Sequence, residues 1–172
     1  GTDRMLVVFT LTEAGTAASV DLPNTTYNGT PLLEIDEILN TRDGVWAGYL
    51  PLGTSASDTT ADLVIQWDAS ATDTGTWAAV YENVNQSTVP TSAVNTGGGT
   101  NALSVDIVNP TGGKVIYASH WNGAASGNNQ TVPTADNWTE HFDADIDGGF
   151  HASVGERDET TAGTITVNIT TN

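Results

Sequence analysis

Apolar and polar residues alternate along most of this chain, and no 3.6-residue periodicity is sustained over three turns. A period of two puts successive side chains on opposite faces of a strand. Met5, Val7, Phe9 and Leu11 share one face of a first strand. Leu63, Ile65 and Trp67 do so within 61–68, and Trp77, Ala79 and Tyr81 within 76–82. Leu103, Val105 and Ile107 alternate with Ser104 and Asp106, while Val115, Tyr117 and Trp121 mark 114–121. Phe150, Ala152 and Val154 mark the segment after an Asp-rich stretch. In the last strand Ile165, Val167 and Ile169 alternate with Thr164, Thr166, Asn168 and Thr170. Shorter strands are expected over 18–22, 32–38 and 45–50, and a short helix has one possible place, 34–40.

Turn-forming residues punctuate these segments at Asn28-Gly29, Asp43-Gly44, 53–60, 95–100, Gly112-Gly113 and 121–137. About ten short strands with such punctuation predict an all-β, two-sheet antiparallel β-sandwich. A chain of 172 residues is expected to form it as one domain, 1–172. The stretch 122–139 is long for a connection in a compact domain and is a candidate functional loop.

Charge narrows the function. Arg4, Arg42, Lys114 and Arg157 face 21 Asp and Glu, a formal charge of −17. Such a surface repels phosphate backbones and anionic lipid, which excludes nucleic acid as a partner. No apolar run is long enough to span a bilayer, so membrane insertion is not expected. The same surface hydrates strongly and attracts cations, which suits work outside a cell, in salt, with Ca2+ as a candidate cofactor. Cysteine is absent, so stability must come from the core. The chain begins Gly1-Thr2-Asp3, and the expectation is a removed leader or a piece of a longer protein.

Several short motifs resemble a known module. Asp3-Arg4-Met5-Leu6-Val7-Val8 is similar to the opening strand of a jelly-roll, lectin-like β-sandwich module found in bacterial surface proteins and phage structural proteins. Thr26-Tyr27-Asn28-Gly29-Thr30-Pro31-Leu32 resembles its next hairpin. An aromatic strand at 45–53, the segment Trp77-Ala78-Ala79-Val80-Tyr81 and a Gly-Gly strand at 112–118 continue the likeness. The resemblance implies an antiparallel jelly roll and no particular chemistry. Such modules end in one more aliphatic strand than is found here, and the sequence stops at Asn172. The expectation is that this strand is missing, or that a neighbouring subunit supplies it or covers an edge, either Ile165–Ile169 or Met5–Leu11.

The candidate chemistry is sparse. Asp143, Asp145 and Asp147 precede Gly148, as alternate carboxylates do at the start of a calcium loop. Val154 stands where the bidentate Glu belongs, so Glu140 or Glu156 would have to complete the shell. Glu34-Ile35-Asp36 is similar to the strand signature of sandwich-fold glucanases, but Ile38 and Leu39 occupy the place of the second acid. Strict alternation turns Glu37 to the opposite face. His120 and His151 fall on outward alternations, and His141 adjoins the Asp cluster, with no metal-ligand spacing among the three. Trp67, Trp77 and Tyr81 fall on inward positions. Trp121 and Trp138 flank the long loop with Asn122, Asp136 and Asn137, an aromatic and polar set that suits a sugar. The alternative is that these two indoles anchor the loop. Sequons stand at Asn24, Asn28, Asn85, Asn129, Asn137 and Asn168 and count only if the source glycosylates Asn.

The function expected is a non-enzymatic structural and interaction module on a virion surface: a phage tail fibre, spike or capsid-decorating protein. Its partners would be protein neighbours met through a sheet edge, with surface glycans as candidate ligands. The alternatives are a ligand-binding or extender domain of a calcium-dependent bacterial adhesin, or a subunit of an extracellular filament closed by a donated strand.

Overall fold

The computed structural model describes residues 3–13, 18–54, 61–96, 102–109, 113–122, 130–131, 137–147 and 149–171. It is all-β, and every strand pair is antiparallel. The chain divides into two compact units, Gly1–Pro90 and Thr91–Asn172.

The first unit contains β1 (Arg4–Glu13), β2 (Thr26–Tyr27), β3 (Thr30–Pro31), β4 (Leu33–Leu39), β5 (Asp43–Gly53), β6 (Leu63–Val64) and β7 (Asp73–Tyr81). One sheet has the order β4-β5-β1-β7 and a smaller one the order β3-β2-β6. β1 is central, and Met5, Leu6, Val7, Val8 and Leu11 are all buried. That explains why Met5-Leu6-Val7-Val8-Phe9 is a continuous apolar run rather than a strict alternation. Leu6, Val8 and Trp46 meet Val20 and Leu32, with Tyr27, Leu63, Ile65 and Trp67 packed against them. Each fully buried aliphatic side chain here contributes roughly 1.5–3 kcal/mol. The β2–β3 hairpin turns at Asn28 and Gly29 with φ of 49° and 74°, the left-handed pair that a two-residue hairpin requires.

The second unit contains β8 (Ala102–Asn109), β9 (Lys114–Asn122), β10 (Gln130–Thr131), β11 (Thr139–Asp147), β12 (Phe150–Asp158) and β13 (Gly163–Thr171). Its sheets are ordered β10-β13-β8 and β11-β12-β9. Val115, Tyr117 and Trp138 pack against Ile165, Val167 and Ile169, with Leu103, Val105 and Ile107 at the margin.

Several sequence expectations change. The strand expected over 32–38 forms as β4, the possible helix at 34–40 does not, and β4 bulges between Glu34 and Asp36. Of 18–22 only Val20 pairs, in a bridge to Trp67, before a 3-10 turn at Leu22–Asn24. The strand expected over 61–68 shrinks to β6 and that bridge. The Asp-rich stretch, read as a loop, is most of strand β11. Of the two strands expected to present an edge, β1 is interior, whereas β13 is paired along one side and, among the described residues, only at one end of the other. β1 is flanked by β5 and β7, and β13 pairs with β8 from Gly163 to Thr170 and with β10 at Thr170 and Thr171.

Candidate functional site

The acids of β11 form a row along one face of its sheet. Register places Asp143 opposite Ser153 and Asp145 opposite His151. The next strand sets Ser119 beside Ser153 and Trp121 beside His151. A bulge between Glu140 and Phe142 returns Glu140 to the same face, opposite Gly155 and beside Tyr117. The face therefore has three rungs, each ending in an acid on the edge strand. It is mostly buried on its inner side: Ser153 is 0% exposed, His151 2% and Tyr117 5%.

Hydrogen bonding accounts for part of this polar interior. The Ser119 and Ser153 hydroxyls are 2.8 Å apart. His151 Nδ1 stands 4.0 Å from Asp145 Oδ1. Burial pushes the Tyr117 hydroxyl's pKa well up; the charges of Glu140 and Asp143 add to the rise, and Ser153 opposes it. Burial and the neighbouring Asp143 raise the Glu140 carboxyl as well. Gly155 is required here because an added Cβ would stand 2.5 Å from Tyr117 Cε1 and 2.9 Å from Thr139 O.

The expected calcium ligands take up strand geometry. Asp143 and Asp145 are alternate residues of β11, about 6.8 Å apart along the strand, not arms of a closing loop. Among the described residues no group of three or more His, Cys, Asp or Glu is placed to hold a metal ion. Asp147 ends β11, and its side chain lies outside the described residues. The acids proposed to complete the shell are engaged otherwise. Glu156 accepts from Lys114 Nζ at 2.7 Å and lies 3.3 Å from His141 Nε2, while Glu140 faces Tyr117. Lys114 also reaches Asp158 at 2.9 Å.

The histidines depart from the alternation reading. His151 is buried because both faces of β12 are covered, with Phe150, Ala152 and Val154 at 0% on the opposite side. His120 is half-buried and lies over Phe150, ring centroids 4.6 Å apart.

The sugar set is described only in part. Trp138 is a core residue, 9% exposed, with its ring edge-on to Tyr117 at 5.3 Å and the Arg157 guanidinium 5.5 Å from its centre. It anchors the segment rather than offering an open platform. Trp121 is half-buried at the end of β9, and Asn137 is exposed with φ 59°. Asp136 and the side chain of Asn122 lie outside the described residues.

In the first unit the bulge in β4 changes the geometry of the acids. Glu34 pairs with Gly48 and Glu37 with Trp46, so these two share a face and Asp36 takes the other. Alternation alone put Glu37 opposite. Both have structural partners. Glu34 Oε2 accepts from Trp46 Nε1 at 3.0 Å, and Glu37 accepts from Ser19 Oγ at 2.8 and 2.9 Å and from the Val20 amide at 3.2 Å. The pair thus locks β4 to the core indole and to segment 18–20.

The sequons lie on varied ground. Asn28 and Asn168 are exposed, in a turn and on the outer face of β13. Asn85 is exposed, its Oδ1 accepting from the Ser87 amide at 2.9 Å. Asn24 Nδ2 is held by Asp21 at 2.8 Å. Asn129 lies outside the described residues.

The sheet edges complete the picture, and sequence reasoning did not distinguish them. β4 and β11 carry Glu34, Asp36, Glu37 and Glu140, Asp143, Asp145, and both are broken by register shifts. β7 and β8 run without a shift and carry one acid each, Asp73 at the start of β7 and Asp106 within β8. No helix among the described residues is long and apolar enough to cross a membrane. Comparison with protein-family models, curated proteins and solved structures returns no match to this chain.

Proposed function

We propose that this chain is a non-enzymatic structural and interaction module that assembles through its sheet edges on the outside of a particle, with a phage virion surface as the first setting. The observation that carries the reading is the division of the edges. Bulges and charges on an edge strand discourage pairing with another chain. β4 and β11 have both devices, whereas β7 has no bulge and no charge after Asp73. A chain that guards some edges and leaves another straight and neutral is suited to meeting neighbours in a fixed way. The charge of −17 supports the same reading, because it keeps free copies apart until a specific contact forms. The resemblance to jelly-roll modules of phage and bacterial surface proteins agrees with it.

Sedimentation of the purified chain across salt concentrations, with electron microscopy of any assembled fraction, tests the proposal. The expected result is a discrete, salt-promoted oligomer. A strict monomer at every salt concentration would remove the reading.

A filament subunit closed by a donated strand is the second reading. Among the described residues the β10 side of β13 is paired only at Thr170 and Thr171, which leaves most of that side for an incoming strand. Soaking with a synthetic aliphatic strand peptide tests it: a large rise in Tm is expected, and none would exclude it.

A further inference from the structure

We infer that the outer edge of β7 pairs with β7 of a second copy of this chain, antiparallel and centred on Trp77. The inference rests on the reading of the chain as an assembly module and names the edge and the occupant.

β7 is held to β1 through nine consecutive rungs, Met5↔Tyr81 to Glu13↔Asp73, without a register shift. No strand lies on its other side among the described residues. Thr74, Thr76, Ala78 and Val80 are exposed, Val80 at 45%. Two other straight edges are less open. On β8 the Ser104 carbonyl already accepts from Asn95 Nδ2 at 2.7 Å, and Asp106 sits mid-strand. On β9 none of residues 114–121 is exposed.

Charge selects the occupant. Two copies at −17 repel unless they meet where neither brings acids. β7 brings few: Asp73 is its one charged residue, and Glu82 follows just beyond its last residue. A two-fold axis at Trp77 makes the contact self-complementary. It sets Thr76 opposite the second copy's Ala78 and Thr74 opposite the second copy's Val80, small and β-branched pairs that favour sheet formation. Asp73 falls opposite the second copy's Tyr81. The two Asp73 residues then stand about 27 Å apart, well beyond the screening length of about 8 Å in physiological salt. The two four-stranded sheets would join into one continuous sheet.

The absence of cysteine makes the register directly testable. Thr76→Cys and Ala78→Cys chains are prepared separately, then mixed and mildly oxidised in about 1 M NaCl, where screening acts within about 3 Å. Directly opposite residues suit a disulfide, whereas diagonal ones at about 7–8 Å do not. The mixture should therefore give at least tenfold more covalent dimer than either variant alone. Association by sedimentation without this preference would overturn the β7 pairing and leave the assembly reading standing. A monomer at all salt concentrations would overturn both. An Ala78→Lys variant, with unchanged circular dichroism, should weaken association at least tenfold, and unchanged association would also overturn the pairing.

Discussion

Trp46 lies across Gly48: its indole occupies the space where a side chain two residues on would stand. A Cβ added at Gly48 would sit 2.5 Å from Cζ2 and 2.6 Å from Cζ3 of that ring, which is 1% exposed and donates to Glu34 at 3.0 Å. Tyr117 covers Gly155 in the same way in the second unit. In each case a central strand gives up a side chain so that a neighbouring aromatic can lie flat over the backbone.

Gly48→Ala is therefore expected to cost about 1–3 kcal/mol, the usual range for overpacking a filled core. In a chain of this size that lowers Tm by roughly 2–4 °C per kcal/mol. Gly163→Ala, where an added Cβ meets nothing within 4 Å, serves as the control and should leave Tm near the wild-type value. Thermal melting of the two variants compares them, and equal melting temperatures would refute the packing account.

Lys114 ties β9 to β12 through Glu156 and Asp158. Partial burial pulls its pKa down, but hydrogen bonds and attraction from the two acids outweigh this, and the pKa is raised above the ordinary 10.5. A raised lysine stabilises the fold fully below its unfolded pKa, and the gain is lost as pH rises through the folded value. Lys114→Met should cost about 1 kcal/mol at neutral pH, given the pair's partial exposure. The difference from wild type should persist through neutral pH and shrink above pH 10.5. Urea melts at several pH values measure it.

Glu140 has the opposite sign. Its pKa is raised by burial and by Asp143, so the folded state holds its proton more tightly than the unfolded state. Its charged form opposes folding at neutral pH, and the penalty fades as pH falls through the folded value towards the ordinary one. Glu140→Gln should raise stability by a few tenths of a kcal/mol at pH 7, a small figure because the group is exposed. The gain should vanish in acid. A loss at pH 7 would show that the carboxylate has a partner, such as a bound cation.

Salt should stabilise the whole chain. With a charge of −17, self-repulsion weakens as the screening length falls to a few ångströms near 0.5 M NaCl. Tm should rise over that range. Ca2+ compared with Na+ at matched ionic strength separates screening from binding. Equal curves are expected from screening alone, whereas an extra rise with Ca2+, abolished in Asp143→Asn, would place an ion on the β11 row.

Many strand positions were legible because β7, β8 and β13 each alternate between a more buried and a more exposed face. β11 was missed although Phe142, Ala144 and Ile146 alternate with Asp143, Asp145 and Asp147. A strand with an acidic face and the start of a calcium loop have the same spacing, and only pairing to β12 tells them apart. The burial of His151 was hidden because both faces of β12 are covered, so alternation gave no direction. The shared face of Glu34 and Glu37 depends on a bulge beside Ile35, which leaves no mark in a period-two pattern. The Met5–Leu11 edge was misjudged for the same reason: which strands lie outermost depends on pairing order, not on the pattern within a strand.

Hydrogen exchange read by mass spectrometry, from micromolar to millimolar protein in high salt, tests the edge-assembly account most directly. The account predicts that amides within Asp73–Tyr81 gain protection as concentration rises, while those of Leu33–Leu39 and Thr139–Asp147 do not change. Exchange along β7 that is independent of concentration, or protection that appears first on β4 or β11, would contradict it.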